Sequence, residues 1–256
     1  MYEKFADEYD HFVNWHSRLA FEMPFITTQL KSKEAQKGQP LAILDAACGS
    51  GMHAIALAEL GYKVSGADLY PKMIEKAQSN ATQARQDVHF QSAGFGQLSH
   101  AFGSGKFNAL LCLGNSLPHA TSELALSETL ADFHNCLKEG SLLLIQNRNF
   151  DQVLAKKERW MEPQATNENG MEWVFLRFYD FEADGLIRFN ILTLKREQGA
   201  MWQTNLTSTF LKPLTKDYLD TQLTQAGFKD IVAYGNMDGS EFNPETSPNL
   251  ILTARK

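Results

Sequence analysis

From Tyr2 to Leu30 the large apolar residues Tyr2, Phe5, Tyr9, Phe12, Leu19 and Met23 recur at steps of mostly three and four, the spacing of an amphipathic helix. A polar stretch from Lys31 to Pro40 ends it. Short apolar runs then alternate with helical patterns. Leu41 to Leu44 reads as a strand closed by Asp45, Met52 to Leu60 as a helix, and Val64 to Ala67 as a strand closed by Asp68. Met73 to Ala84 (helix), Val88 to Gln91 (strand), Phe107 to Leu113 (buried strand), Glu123 to Leu137 (helix) and Leu142 to Ile145 (strand) continue the rhythm. Five short strands alternating with helices imply a parallel sheet covered on both faces.

After Phe150 the pattern changes. Trp173 to Tyr179, Leu186 to Lys195 and Thr204 to Leu211 read as strands, with Asp184-Gly185 and Gln198-Gly199 as hairpin turns, so a small antiparallel addition is expected. Met161, Trp173, Phe175, Tyr179 and Phe189 are its expected core. Thr215 to Ala226 reads as a helix with Thr215 as N-cap and Gly227 as its left-handed stop, and strands Asp230 to Tyr234 and Asn249 to Ala254 follow. The expected division is a helical cap over residues 1–40, a core over 41–150 and 212–256, and an antiparallel β insertion over 151–211 that sits above the substrate site. No repeat or low-complexity tract interrupts it.

Composition narrows the class. A chain of 256 residues, 43% hydrophobic and 21% charged, is neither a disordered tail nor a disulfide-stapled miniprotein. Lys and Arg total 24 against 30 Asp and Glu, a net charge of −6, which disfavours nucleic acid and anionic membranes as partners and leaves small molecules. Oligomeric state is not legible. Cys48, Cys112 and Cys136 form no CxxC pair, and no apolar run approaches the roughly 18 residues of a membrane span or suggests a signal peptide. A cytoplasmic protein is expected.

The segment Asp45 to Ala54 contains GxGxxA between a strand and a helix, where such turns admit a ligand backbone, although Gly49 and Gly51 can also serve only a tight turn. Asp68 closes the next strand seventeen positions beyond Gly51, near the roughly twenty expected of an acid that bonds a ribose diol. Asp45 then decides the sign of the ligand. A pyrophosphate at roughly 4 to 6 Å from its carboxylate, at an effective dielectric near 20, is repelled by about 3 to 4 kcal/mol. S-adenosylmethionine has no phosphate and carries an ammonium and a sulfonium, so an acidic turn attracts it. The alternative for Asp45 is a helix cap or turn residue, and Asp68, a lone acid before Leu69, Tyr70 and Pro71, can equally be a cap.

Through LDAACGSG (Leu44 to Gly51), Asp68 and the strand rhythm, the sequence resembles the class I S-adenosylmethionine-dependent methyltransferases. The resemblance covers most of Leu41 to Ile145 and Thr215 to Lys256. It implies an α/β, Rossmann-like sheet of seven strands whose last strand runs antiparallel. It also implies cofactor contacts from Ala47, Gly49 and Gly51 around the methionine part, Asp68 at the ribose, and Leu69 and Met73 near the adenine; Asp45 joins them on its charge. Leu113 and Gly114 after the fourth strand complete the set. Where the family often has an acid or amide for the adenine amine, Gly94 stands here, leaving the backbone of Gly94 and Phe95. The family's N-terminal segment closes over the cofactor, which assigns Tyr9, Trp15 and Arg18 to a cap: aromatic faces stabilise a sulfonium, and a guanidinium binds the methionine carboxylate.

Cys112 to His119 and Gln146 to Asp151 look like the GNSxxH and HRNYD stretches of the glycine and sarcosine N-methyltransferases. That resemblance assigns Arg148 to a substrate carboxylate and Asn115 to holding the substrate. A planar guanidinium suits a small carboxylate on chemical grounds too, the alternative being a surface salt bridge of Arg148 with Asp151 or a helix acid. Asn147 replaces the family's His. His119 is a candidate near the cofactor carboxylate or as a proton acceptor, against the alternative of a packed surface residue, and Arg177 or Tyr179 can reach the substrate from above. The remaining histidines show no metal spacing, and no metal or obligatory base is assigned. The expected reaction is N-methylation of a small amino acid or amine. O- or C-methylation of another metabolite, or a non-catalytic S-adenosylmethionine-binding module, are the alternatives.

Overall fold

The computed structural model describes residues 13–31 and 40–256. Helix α1 (Trp15–Lys31) starts where the Asn14 side chain accepts the Ser17 N–H at 3.1 Å, and its buried stripe of Glu22, Phe25, Ile26 and Leu30 turns toward the core. The first half of the Tyr2 to Leu30 stretch, Tyr9 included, lies outside the described residues.

The chain then alternates: β1 (Ala42–Asp45), α2 (Met52–Glu59), β2 (Lys63–Asp68), α3 (Pro71–Ala84), β3 (His89–Ser92), α4 (Leu98–Phe102), β4 (Phe107–Cys112), α5 (Glu123–Cys136), β5 (Leu137–Arg148) and α6 (Phe150–Lys156). Four antiparallel strands follow: β6 (Gln164–Glu168), β7 (Met171–Phe181), β8 (Ile187–Glu197) and β9 (Gln203–Leu211). Helix α7 (Lys216–Gln225), β10 (Lys229–Tyr234) and β11 (Asn249–Arg255) return to the first sheet. Its order is β10-β11-β5-β4-β1-β2-β3, and β11 runs antiparallel to both neighbours. This is the mixed α/β sheet of seven strands with a last antiparallel strand that the sequence led us to expect.

Alternation along the strands builds one core on each face. Leu110, Leu143 and Ile145 pack with Phe133 of α5 and Leu219 of α7, while Ile43, Leu111 and Leu144 pack with Ile26 of α1 and Ile55 of α2. Burial on both faces is why β4 reads as a near-continuous apolar run. Strand order reverses beside β1, so the crevice between the carboxyl ends of β1 and β4 is where such sheets take ligands.

Several elements depart from the expected ones. Strand β5 begins at Leu137, and a register shift against β4 between Phe107 and Ala109 lets the exposed Lys138, Glu139 and Gly140 sit at its start. Helices α4 and α6 are too short for a 3.6-residue period to register. The insertion has four strands, because the polar β6 pairs with β7 through an Asn169-Gly170 turn in which both residues have positive φ. Its core contains Trp173, Phe175 and Tyr179, with Met161 and Phe189 packed against it. Thr215 occupies the N-cap position of α7, yet its hydroxyl makes no capping bond; Oδ2 of Asp151 accepts the Lys216 N–H at 3.0 Å instead.

Candidate active site

Strand β1 delivers Asp45 and the parallel β2 delivers Asp68 to one end of the sheet. Asp68 accepts the Gly49 N–H at 3.0 Å and the Tyr70 N–H at 2.9 Å, so its carboxylate ties the Gly-rich turn to the end of β2. Asp45 is 1% exposed and its Oδ1 has no hydrogen-bond partner. Burial pushes its carboxyl up to about 6 against the pull of His53, the Ala47 N–H and Arg18, and the charge of Asp68 adds to the rise. Burial also raises Asp68, despite its two backbone bonds. Two carboxyls that resist ionisation together form a place where a cation is welcome. Burial, with the charges of Asp45 and Asp68, drives the Cys48 thiol well above its usual range.

The crevice beside them has a volume of about 610 Å³. Of the residues expected at the cofactor, Ala47, Gly49, Asp68, Leu69, Met73, Gly94, Phe95 and Gly114 line it, and so does His119. Others expected there do not. Asp45 lies under the turn. Gly51 (φ +81°) serves packing, since a Cβ there would lie 2.8 Å from the Phe90 ring and 2.9 Å from Ala77. Leu113 is buried in the core with Leu111 and Leu144, its carbonyl accepting the Ser116 hydroxyl at 2.7 Å. Arg18 stands just behind Gly114, where a Cβ would be 3.4 Å from its Nη2, and the Trp15 ring lies 5.1 Å from the Arg18 guanidinium carbon.

The candidate substrate residues are placed apart from this crevice, except His119. Asn115 (φ 62°) spends its groups on the β4–β5 junction: its N–H donates to the Gln146 carbonyl at 3.0 Å and its Oδ1 accepts the Arg148 N–H at 2.9 Å. Arg148 faces Glu158 at 3.4 Å, with both side chains about a third exposed, while Asp151 is engaged in capping α7. Tyr179 is 3% exposed and packs against Phe150 and Phe189; burial pushes its phenol up to about 12 although Arg148 and Arg177 lie close enough to oppose the rise. Burial and the neighbouring Arg148 lower Arg177. Burial lowers His119 to about 4, which leaves a neutral imidazole at neutral pH.

Sequence reading missed other lining groups: Gln97, Ser116, Glu128, Thr129, Thr209 and Phe210. Gln97 was findable, an amide three residues past Gly94 whose Oε1 accepts the Gly94 N–H at 3.3 Å. Thr209 and Phe210 come from β9, 80 positions beyond Thr129, the next lining residue along the chain, and no local signal announces them.

These residues fit S-adenosylmethionine. The orphaned Asp45 oxygen, the second acid at the end of β2 and the crevice that Gly49 and Gly114 line suit a cationic ligand with a ribose and unsuit a pyrophosphate. Bound there, the donor supplies an electrophilic methyl group on a sulfonium leaving group. The chain's own part is to orient an uncharged nucleophile in line with that methyl group.

Comparison with known proteins agrees. Residues 43–140 match a methyltransferase domain family. The chain is 30% identical over 263 residues to the glycine/sarcosine N-methyltransferase of Aphanothece halophytica, covering 99% of this chain and 88% of that protein. It is also 30% identical to the enzyme of that name from Halorhodospira halochloris, over 91% of this chain and 80% of the relative. The sugar N-methyltransferase KedS8 of Streptoalloteichus shares the fold at a TM-score of 0.74 and 20% identity, over 97% and 92% of the two chains. The chain is thus an enzyme of the S-adenosylmethionine-dependent methyltransferase class. Within it, the chain belongs to the family of the glycine/sarcosine N-methyltransferases.

Proposed function

We propose that this enzyme methylates the nitrogen of a small amino acid or amine such as glycine or sarcosine. The observation that carries the reading is the Arg148 guanidinium at the carboxyl end of β5, 3.4 Å from a partly exposed Glu158, with Arg177 and Tyr179 close by. Two neighbouring guanidiniums suit the carboxylate of an amino-acid acceptor. In this reading Asn115 sets the backbone of Arg148, Tyr179 closes the acceptor side, and His119 lines the crevice as a neutral group able to accept a hydrogen bond. Asp68 takes the ribose hydroxyls, Asp45 the positive end of the donor, Ala47 and Gly49 its methionine part, and Leu69, Met73, Gly94 and Phe95 the adenine. Trp15 and Arg18 cap it from α1. Residues 1–40 act as a cap, 41–150 with 212–256 as the cofactor core, and 151–211 as the roof of the acceptor site. A reducing cytoplasm is the proposed compartment, supported by three buried free cysteines.

The test is a panel of glycine, sarcosine, ethanolamine and an amino sugar assayed with Arg148→Lys and Arg148→Ala. Loss of a bidentate clamp is worth about 2 kcal/mol, so KM for the carboxylated acceptors is expected to rise about thirtyfold in Arg148→Ala, with uncarboxylated amines unaffected. Equal effects on both acceptor kinds would refute the clamp.

A further inference from the structure

Glu22 is a carboxylate buried at 5% exposure in the middle of an otherwise apolar helix face, and both its oxygens are committed. Nε of Arg18 donates to each at 3.1 Å, Nε2 of Gln146 donates to Oε1 at 2.9 Å, and His53 Nε2 lies 2.6 Å from Oε2. Burial alone would raise this carboxyl, but the His53 bond, the Arg18 charge and the Gln146 bond outweigh it and hold the group down to about 2. The cluster joins three elements: α1 gives Arg18 and Glu22, α2 gives His53, and β5 gives Gln146. Gln146 Oε1 reaches a fourth point by accepting the Gly114 N–H at 3.0 Å, and it also lies 3.4 Å from Nη2 of Arg18.

The consequence falls on Arg18. Its Nε edge is anchored from below, and the Trp15 ring lies 5.1 Å from the guanidinium carbon. The remaining fork of Nη1 and Nη2 faces Gly114, which lines the cofactor crevice and whose missing side chain leaves that approach open. Arginine alone among side chains has enough donors to be fixed on one edge and still offer a planar pair to a carboxylate. We propose that Glu22, keyed by His53 and Gln146, is a positioning residue that aims the Arg18 fork at the carboxylate of the donor's methionine part. This rests on the reading that Arg18 receives that carboxylate.

Calorimetry on the full chain tests it without turnover, using two ligands that differ in the amino-acid part: S-adenosylhomocysteine, which has the carboxylate, and 5′-methylthioadenosine, which lacks it. Glu22→Gln is expected to weaken S-adenosylhomocysteine about tenfold and methylthioadenosine less than about twofold. His53→Gln, which loosens the same carboxylate from the other side, is read by the same ratio and serves if Glu22→Gln does not fold. Equal losses for both ligands, or none for either, would overturn the positioning role. Arg18→Ala separates the two claims. If it leaves the ratio of the two affinities unchanged, the assignment of Arg18 fails; if it collapses the ratio while Glu22→Gln and His53→Gln preserve it, only the positioning role fails.

Discussion

At the scale of single residues the chemistry turns on Asp45. Its folded carboxyl titrates at about 6 against an ordinary 3.8, so the ligand-free fold holds that proton more tightly than the unfolded chain does. Such a group costs stability above pH 6, and the cost is relieved as pH falls from 6 to 3.8. A cationic donor reverses the preference by stabilising the ionised form. Affinity for S-adenosylmethionine is therefore expected to be constant above pH 6 and to weaken by up to about tenfold per pH unit below it. Calorimetric titrations across pH 5 to 8 check this; Asp45→Asn should flatten most of the slope and leave the part due to Asp68. Gly51 carries a different prediction. With φ +81° and a Cβ position inside contact of Phe90 and Ala77, Gly51→Ala combines left-handed strain with overpacking and should cost about 2 to 4 kcal/mol, read from denaturant midpoints. The two acids were legible because each closes an apolar strand. The partners of Glu22 were not, since Gln146 stands 124 positions away and only the fold brings them together.

At the scale of elements, what was legible follows from period and length. The strands from β1 to β4 are short apolar runs bounded by polar turns, and α3 and α5 are long enough to repeat their stripe, so all could be read directly. Strand β6 has no apolar alternation, and its Asn169-Gly170 turn was the only local mark of a hairpin. The start of β5 was hidden by exposed Lys138 to Gly140. The junction of α6 and α7 shows how the insertion is fastened: Asp151, at the start of α6, supplies the cap that Thr215 does not. Removing it by Asp151→Ala should cost about 1 kcal/mol in chemical denaturation, while Thr215→Ala should cost less, the reverse of the order that sequence alone suggests. Hydrogen exchange at Lys216 and its neighbours is the local check.

At the scale of the whole molecule, two sheets divide the work. The seven-stranded sheet brings an acidic pair to its carboxyl edge, and the four-stranded sheet reaches over it from the other side, with Thr209 and Phe210 of β9 completing the crevice wall. Charge is split in the same way: Asp45 and Asp68 close β1 and β2, where the donor is proposed to lie, and the guanidiniums of Arg148 and Arg177 stand where an acceptor carboxylate is proposed. Among the described residues no helix is long and apolar enough to cross a membrane, and no group of three or more His, Cys, Asp or Glu is arranged to hold a metal ion. The most direct measurement supplies S-adenosylmethionine labelled on its transferable methyl together with glycine, and follows the label by mass spectrometry. The account predicts labelled sarcosine formed in step with S-adenosylhomocysteine and suppressed in Arg148→Ala. Label appearing only on oxygen or carbon acceptors, with glycine and other small amines untouched, would contradict it.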